Sequence, residues 1–108
     1  MLDSINNNAE IQEIVNIIVN TVPTLEVYLF GSFANGTQRE DSDYDFYVVI
    51  PDGGMRARVA TWEIQGAIHN RSRGIDMLVG TKSKFDKYKT SISFIERDVA
   101  DKGVKLYG

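Results

Sequence analysis

The sequence predicts an α/β (α+β) fold, a small mixed β-sheet with helices packed on one face. Three observations carry that expectation. One stretch near the N-terminus repeats apolar residues at helical spacing. Three short apolar stretches end at glycine or proline, as strands do. Helical and strand segments then alternate in the order α β β α β α (β), with no repeat, linker or low-complexity segment. At 108 residues the chain has the length of one ordinary domain, taken as 1–108.

The elements follow in order. Ile11, Ile14, Val15, Ile18 and Val19 lie on one face of a helix over about 8–21. Asn7 and Glu10 read as its capping pair. Pro23 stops it, because the residue before a proline is pushed out of the α region. Leu25 to Phe30 reads as a strand ended by Gly31, 31–42 as a loop, and Asp43 to Ile50 as a second strand, broken by Pro51-Asp52-Gly53-Gly54. The two strands are expected to pair antiparallel or as close neighbours. Residues 55–70 form a second helix, Asn70 to Gly74 turns the chain, and Ile75 to Val79 is a third strand. Lys82 to Lys89 is a short helix. Ile92, Ile95 and Val99 mark a last helix with Gly103 as its C′ residue, and Val104 to Tyr107 a short edge strand.

Composition removes whole classes of chemistry. No cysteine is present, so disulfides, thiolate zinc sites and cysteine nucleophiles are excluded. A single histidine, His69, excludes sites built from several imidazoles and reads as a surface or packing residue. Twelve basic against fifteen acidic residues give a net charge of −3, opposite to the basic balance expected of a nucleic-acid binder. No apolar run is long enough for a membrane span, and Met1-Leu2-Asp3-Ser4 does not open a secretory signal, so a cytoplasmic location is expected. What is left is chemistry with carboxylates, hydroxyls, amines, backbone amides and a hard metal ion.

The informative residues are Gly31-Ser32-Phe33-Ala34-Asn35-Gly36 and Ser42-Asp43-Tyr44-Asp45. On a strand, Asp43 and Asp45 share a face with Cα atoms about 6.5–7 Å apart. Two carboxylates so placed repel unless a cation sits between them, and Mg²⁺ takes one or two carboxylates plus phosphate oxygens. The glycine turn directly after a strand lets backbone N–H groups approach a ligand, and Ser32 adds a hydroxyl. Asp76, inside an otherwise apolar strand, completes a triad if that strand lies beside 43–50. Alone, each feature reads as a turn or a solvated strand face; together they form the kit for metal-assisted phosphoryl or nucleotidyl transfer. A P-loop fails for want of lysine after Gly36, and a calcium loop from Asp41 fails because Phe46 stands where glycine is required.

Gly31-Ser32, Gly36 and Ser42-Asp43-x-Asp45 resemble the signature of the DNA polymerase β-like nucleotidyltransferase superfamily. The short chain and its Ile95-x-x-Asp98…Gly103…Leu106-Tyr107 ending resemble the minimal nucleotidyltransferase antitoxin branch. The resemblance runs from about Leu25 to Tyr107. It implies that Asp43, Asp45 and Asp76 bind two Mg²⁺ ions and that Asp76 also accepts a proton. It implies that Gly31 and Ser32, with Gly36 and Ser42 of the same motif, form the nucleotide site. The implied reaction moves a nucleoside monophosphate, AMP from ATP, to an acceptor hydroxyl with release of pyrophosphate. The implied partner is a helical HEPN-type toxin, whose tyrosine receives the AMP; a homo-oligomer is a further possibility. One alternative is a non-catalytic antitoxin that neutralises its partner by complex formation. Another is transfer to a small molecule such as an aminoglycoside.

The sequence departs from many family members in one respect. No arginine follows Gly-Ser, where Phe33, Ala34 and Asn35 stand. Arg39 or the lysines of 82–89 are candidate substitutes, although solvated surface is the simpler expectation for them. Trp62 reads as core or interface, and Tyr47, on the face of Asp43 and Asp45, as a residue that lines the nucleotide site.

Overall fold

The computed structural model describes residues 8–69 and 72–108. The elements are α1 (Ala9–Thr21), β1 (Glu26–Phe30), α2 (Ser32–Asn35), β2 (Tyr44–Ile50), α3 (Ala57–Ala67), β3 (Ile75–Thr81), α4 (Lys82–Tyr88), α5 (Ile95–Lys102) and β4 (Val104–Tyr107). The sheet runs β3-β2-β1-β4. β1 pairs antiparallel with β2 and with β4, while β2 and β3 are parallel and joined through α3. The expected mixed sheet is therefore present.

Strand alternation divides the core in two. Tyr44, Phe46, Val48 and Ile50 of β2, with Val27 and Leu29 of β1, face α1 and α3. There Ile11, Ile14, Val15 and Ile18 fill one stripe of α1, and Ala60 and Ile64 one stripe of α3. Truncating a fully buried residue such as Ile18 to alanine would cost about 2–5 kcal/mol. The large helices thus lie on one face as expected. The opposite face has a smaller cover, in which Tyr47 and Val49 meet Phe85 of α4 and Val99 of α5. Helices on one face describes the main core, and α4 and α5 add a smaller cover because Tyr47 and Val49 on the other face of β2 are apolar too.

Local differences from the sequence reading have physical causes. Asn8 caps α1, its Oδ1 accepting from Ile11 N at 3.1 Å; Asn7 lies outside the described residues. Glu10 turns away to other partners, described below. The stretch after Gly31 is not plain loop: Ser32–Asn35 closes one helical turn, ended by Gly36 in the left-handed conformation at φ 75°. The second helix is shorter than 55–70, and Asn70 and Arg71 of the expected turn lie outside the described residues. Ile92 precedes α5 and is 84% exposed, because tight turns at Tyr88–Ser91 and Ser91–Phe94 delay the helix. Gly103 is extended, not left-handed, and glycine is needed there for space: a Cβ would meet the Val99 carbonyl oxygen.

Candidate active site

Asp45 and Asp76 meet where the end of β1 passes the starts of β2 and β3, with Asp43 at the edge of the same region. Antiparallel pairing sets Phe30 opposite Asp45, and parallel pairing sets Asp45 beside Asp76. Asp43 lies just before β2, in an exposed turn, and the strand begins one residue later than expected. The ladder nevertheless fixes its neighbour, since Tyr44 N donates to Gly74 O at 2.9 Å. Two glycines press on the carboxylates. A Cβ on Gly31, which sits at φ 73°, would collide with Asp45 Oδ2, and a Cβ on Gly74 would collide with Asp43 Oδ1. The glycine turn and the acidic strand are therefore in direct contact.

This crowding has an electrostatic signature. Burial, then a carboxyl of Asp76 within hydrogen-bonding reach, then the charges of Asp76 and Asp43 push the Asp45 carboxyl up to about 6. Asp45 and Asp76 form the close pair and Asp43 acts from farther off. Among the described residues no three acidic or imidazole side chains converge into a ready-made cage. The donor set still suits a hard cation. Asp45 is crowded by Asp76, with Asp43 on the same rim; none of the three is in an ion pair among the described residues, and carboxylate oxygens so placed are what Mg²⁺ takes together with phosphate oxygens.

The remaining candidates fall into place around this rim. Ser32 opens α2 beside Gly31 and is partly exposed. Ser42 holds the turn ahead of Asp43: its Oγ accepts from Arg39 N at 2.7 Å and its N donates to Arg39 O at 3.1 Å. Gly31, with Phe30, Asn35, Ile95, Asp98 and Lys102, lines a cavity of about 220 Å³. That is smaller than the roughly 300–1,000 Å³ of most ligand pockets, so a nucleotide here would be only partly enclosed. A larger groove of about 680 Å³, lined by Thr21 of α1 and by Trp62 and its neighbours on α3, contains none of Asp43, Asp45 and Asp76. Trp62 is 74% exposed and so is not core.

Two candidates move away from the site. Tyr47 does share the face of Asp45 but is fully buried, its hydroxyl donating to Glu96 Oε2 at 2.7 Å. It packs under α4 and α5 and cannot line an open site. The lysines of 82–89 begin past the far end of β3, where Thr81 lies about 16 Å from Asp76 along the strand. Lys82 and Lys89 pair with Asp86, and Lys84 approaches Glu96. A basic side chain beside Gly31 is Lys102, which the sequence did not single out, because nothing in the spacing of α5 ties it to Gly31.

The profile of the nucleotidyltransferase domain matches residues 11–106. The chain belongs to the nucleotidyltransferase domain family. It is 36% identical over 53 residues to a protein adenylyltransferase, MntA, of Shewanella oneidensis. That match covers 48% of this chain and 37% of the relative, so the chain aligns with little more than a third of the curated relative's length. Among solved structures, one of a toxin–antitoxin with AMP-PNP superposes at a TM-score of 0.65 with 25% identity, over 90% of this chain and 72% of that one. A protein from Sulfolobus solfataricus described as a candidate nucleotidyltransferase superposes at 0.60 with 25% identity, over 87% and 73%. The resemblance read from Gly31-Ser32 and Asp43-x-Asp45 to the nucleotidyltransferases is thereby borne out, and the relatives with which the chain aligns support the minimal antitoxin branch of that resemblance. Among the described residues no helix is long and apolar enough to cross a membrane.

Proposed function

We propose that the chain transfers a nucleoside monophosphate, AMP from ATP, to a hydroxyl presented by a partner protein. The observation that carries this reading is the contact of the Gly31 turn with Asp45, itself in register with Asp76. Asp43, Asp45 and Asp76 would hold two Mg²⁺ ions, which supply charge stabilisation for the entering and leaving oxygens of an in-line displacement. Gly31 and Ser32 would hold the triphosphate, with Gly36 ending the turn that shapes them and Ser42 fixing the approach of Asp43. Asp76, exposed at the start of β3, would accept the proton of the acceptor hydroxyl. The new bond joins that oxygen to the α-phosphorus, the bond to the β-phosphate oxygen breaks, and pyrophosphate leaves.

A protein acceptor is favoured by surface chemistry. Ile92, Phe94 and Ile95 are exposed, and Ile95 also lines the cavity beside Gly31, so an apolar patch reaches the rim of the site. A helical toxin of the HEPN type is the partner implied by the resemblance. The relatives named above, an adenylyltransferase and a toxin–antitoxin structure, support the same reading. The test is incubation with α-labelled ATP, Mg²⁺ and the product of the neighbouring gene. Label should move to the partner with wild type and not with Asp43→Ala. Equal labelling by both would overturn the proposal. Neutralisation of the partner by an Asp43→Ala/Asp45→Ala variant would favour a non-catalytic binding module instead.

A further inference from the structure

Arg73, in the turn before β3, makes contacts that the transfer chemistry does not require. Its Nη1 donates to three main-chain carbonyls, of Arg39 at 3.1 Å, Glu40 at 3.0 Å and Ser42 at 2.8 Å. Two hydrogens are shared among three oxygens, so this one nitrogen gathers the whole turn ahead of Asp43. The guanidinium also lies over two rings, Phe33 at 5.0 Å and Tyr44 at 5.6 Å from its carbon. Phe33 follows Gly31-Ser32 by one residue, and Tyr44 stands between Asp43 and Asp45. None of the ion pairs among the described residues includes Arg73. Its hydrogen bonds go to carbonyl dipoles and it lies over ring faces, while the Glu10 carboxylate feels its charge without forming an ion pair with it.

We infer that Arg73 is a positioning residue that holds Asp43 in place for the metal, by clamping the 39–42 turn against Phe33 and Tyr44. The geometry explains why an arginine stands there. A flat fork can reach several carbonyls while stacking on rings, and a lysine ammonium can do only one of these at a time. It also explains how an aspartate outside the strand ladder can be held. Asp43 has a bonded residue on either side, Ser42 through its carbonyl to Arg73 and Tyr44 through its amide to Gly74. Arg73 and Gly74 are adjacent, so one short segment sets both flanks. Groups that orient a metal ligand from behind are commonly worth about 10–100-fold in metal affinity.

This inference rests on the nucleotidyltransferase reading, and the test separates the two. The probe is Mn²⁺ titrated into the full chain with a non-hydrolysable ATP analogue, followed by the loss of the free Mn²⁺ electron paramagnetic resonance signal. Wild type should bind. Arg73→Lys and Arg73→Met should each bind about tenfold or more weakly. Hydrogen exchange without metal gives a second readout. In Arg73→Lys the Ser42 and Tyr44 amides should exchange at least tenfold faster, with α1 and β1 unchanged. If Arg73→Met does not fold, Arg73→Lys decides the matter alone. Wild-type Mn²⁺ affinity in Arg73→Lys, or unchanged exchange at Ser42 and Tyr44, would overturn the inference while leaving the proposed activity intact. No Mn²⁺ binding by wild type would overturn both.

Discussion

The Tyr47 hydroxyl donates a 2.7 Å hydrogen bond to Glu96, a carboxylate only 2% exposed. Burial, and then this bond and the Glu96 charge, push the tyrosine's proton affinity well up, so Tyr47 remains a donor throughout the ordinary pH range. The pair ties α5 to the sheet, and through α5 it sets Ile95, Asp98 and Lys102 beside Gly31. Tyr47→Phe removes the donor and leaves the Glu96 oxygen buried with Lys84 at 3.9 Å as its remaining charged partner. The expected loss is about 1–3 kcal/mol in urea unfolding. A change below about 0.5 kcal/mol would show that water replaces the bond.

Gly31 is expected to tolerate no side chain. Alanine there would have to adopt φ 73° and would occupy the space of Asp45 Oδ2. Gly31→Ala should cut AMP transfer at least 100-fold while costing about 1–2 kcal/mol of stability. Parallel measurement of label transfer and the thermal melt checks both parts.

Asp45→Asn should separate stability from activity. The carboxyl sits among two others with its proton affinity raised, so its charge is unfavourable in the metal-free fold. Asparagine removes that repulsion. Allowing for solvent screening of a half-buried group, the gain is on the order of 1 kcal/mol, or about 4–8 °C in melting temperature. Wild type should be stabilised by Mg²⁺ with nucleotide, and chelation with EDTA should reverse this; Asp45→Asn should respond to neither. A lower melting temperature for Asp45→Asn would refute the crowding argument.

Glu10 predicts an acid limit. Burial raises its carboxyl, but bonds from the Ser72 side chain, the Tyr44 hydroxyl and the Ser72 amide, with the charge of Arg73, outweigh this and hold it below the usual 4.5. A lowered carboxyl stabilises the fold above its unfolded value and loses that contribution as pH falls through the lower folded value. Stability should therefore decline below about pH 4.5, and Glu10→Gln should flatten that part of the curve. Identical acid limbs in chemical denaturation would count against it.

The placement of the candidate carboxylates was legible because strand spacing is local information. Asp43-x-Asp45 shows its period directly, and Asp76 stands out as an acid in an apolar strand; the parallel ladder then brings Asp45 and Asp76 together. Tyr47 shows the limit of the same rule. Its face was right, but which part of that face is covered depends on α4 and α5, whose docking no periodicity reports. Glu96 was missed because an acidic residue in the first turn of a short polar helix looks solvated. Arg73 was missed because its hydrogen-bond acceptors are main-chain carbonyls, which carry no side-chain identity to recognise.

The crossover from β2 to β3 has a consequence for how the protein comes to life. The rim is stitched from three stretches of chain, and the last of them, Arg73 to Asp76, arrives only after α3 has been laid down. Closing such a long parallel connection is slower than zipping the β1–β2 hairpin. During synthesis, Asp43 and Asp45 therefore emerge before the strand that completes their cluster. An immature chain would carry the Asp43-x-Asp45 motif without its setting, because the Asp45–Asp76 pair exists only once β3 has docked beside β2.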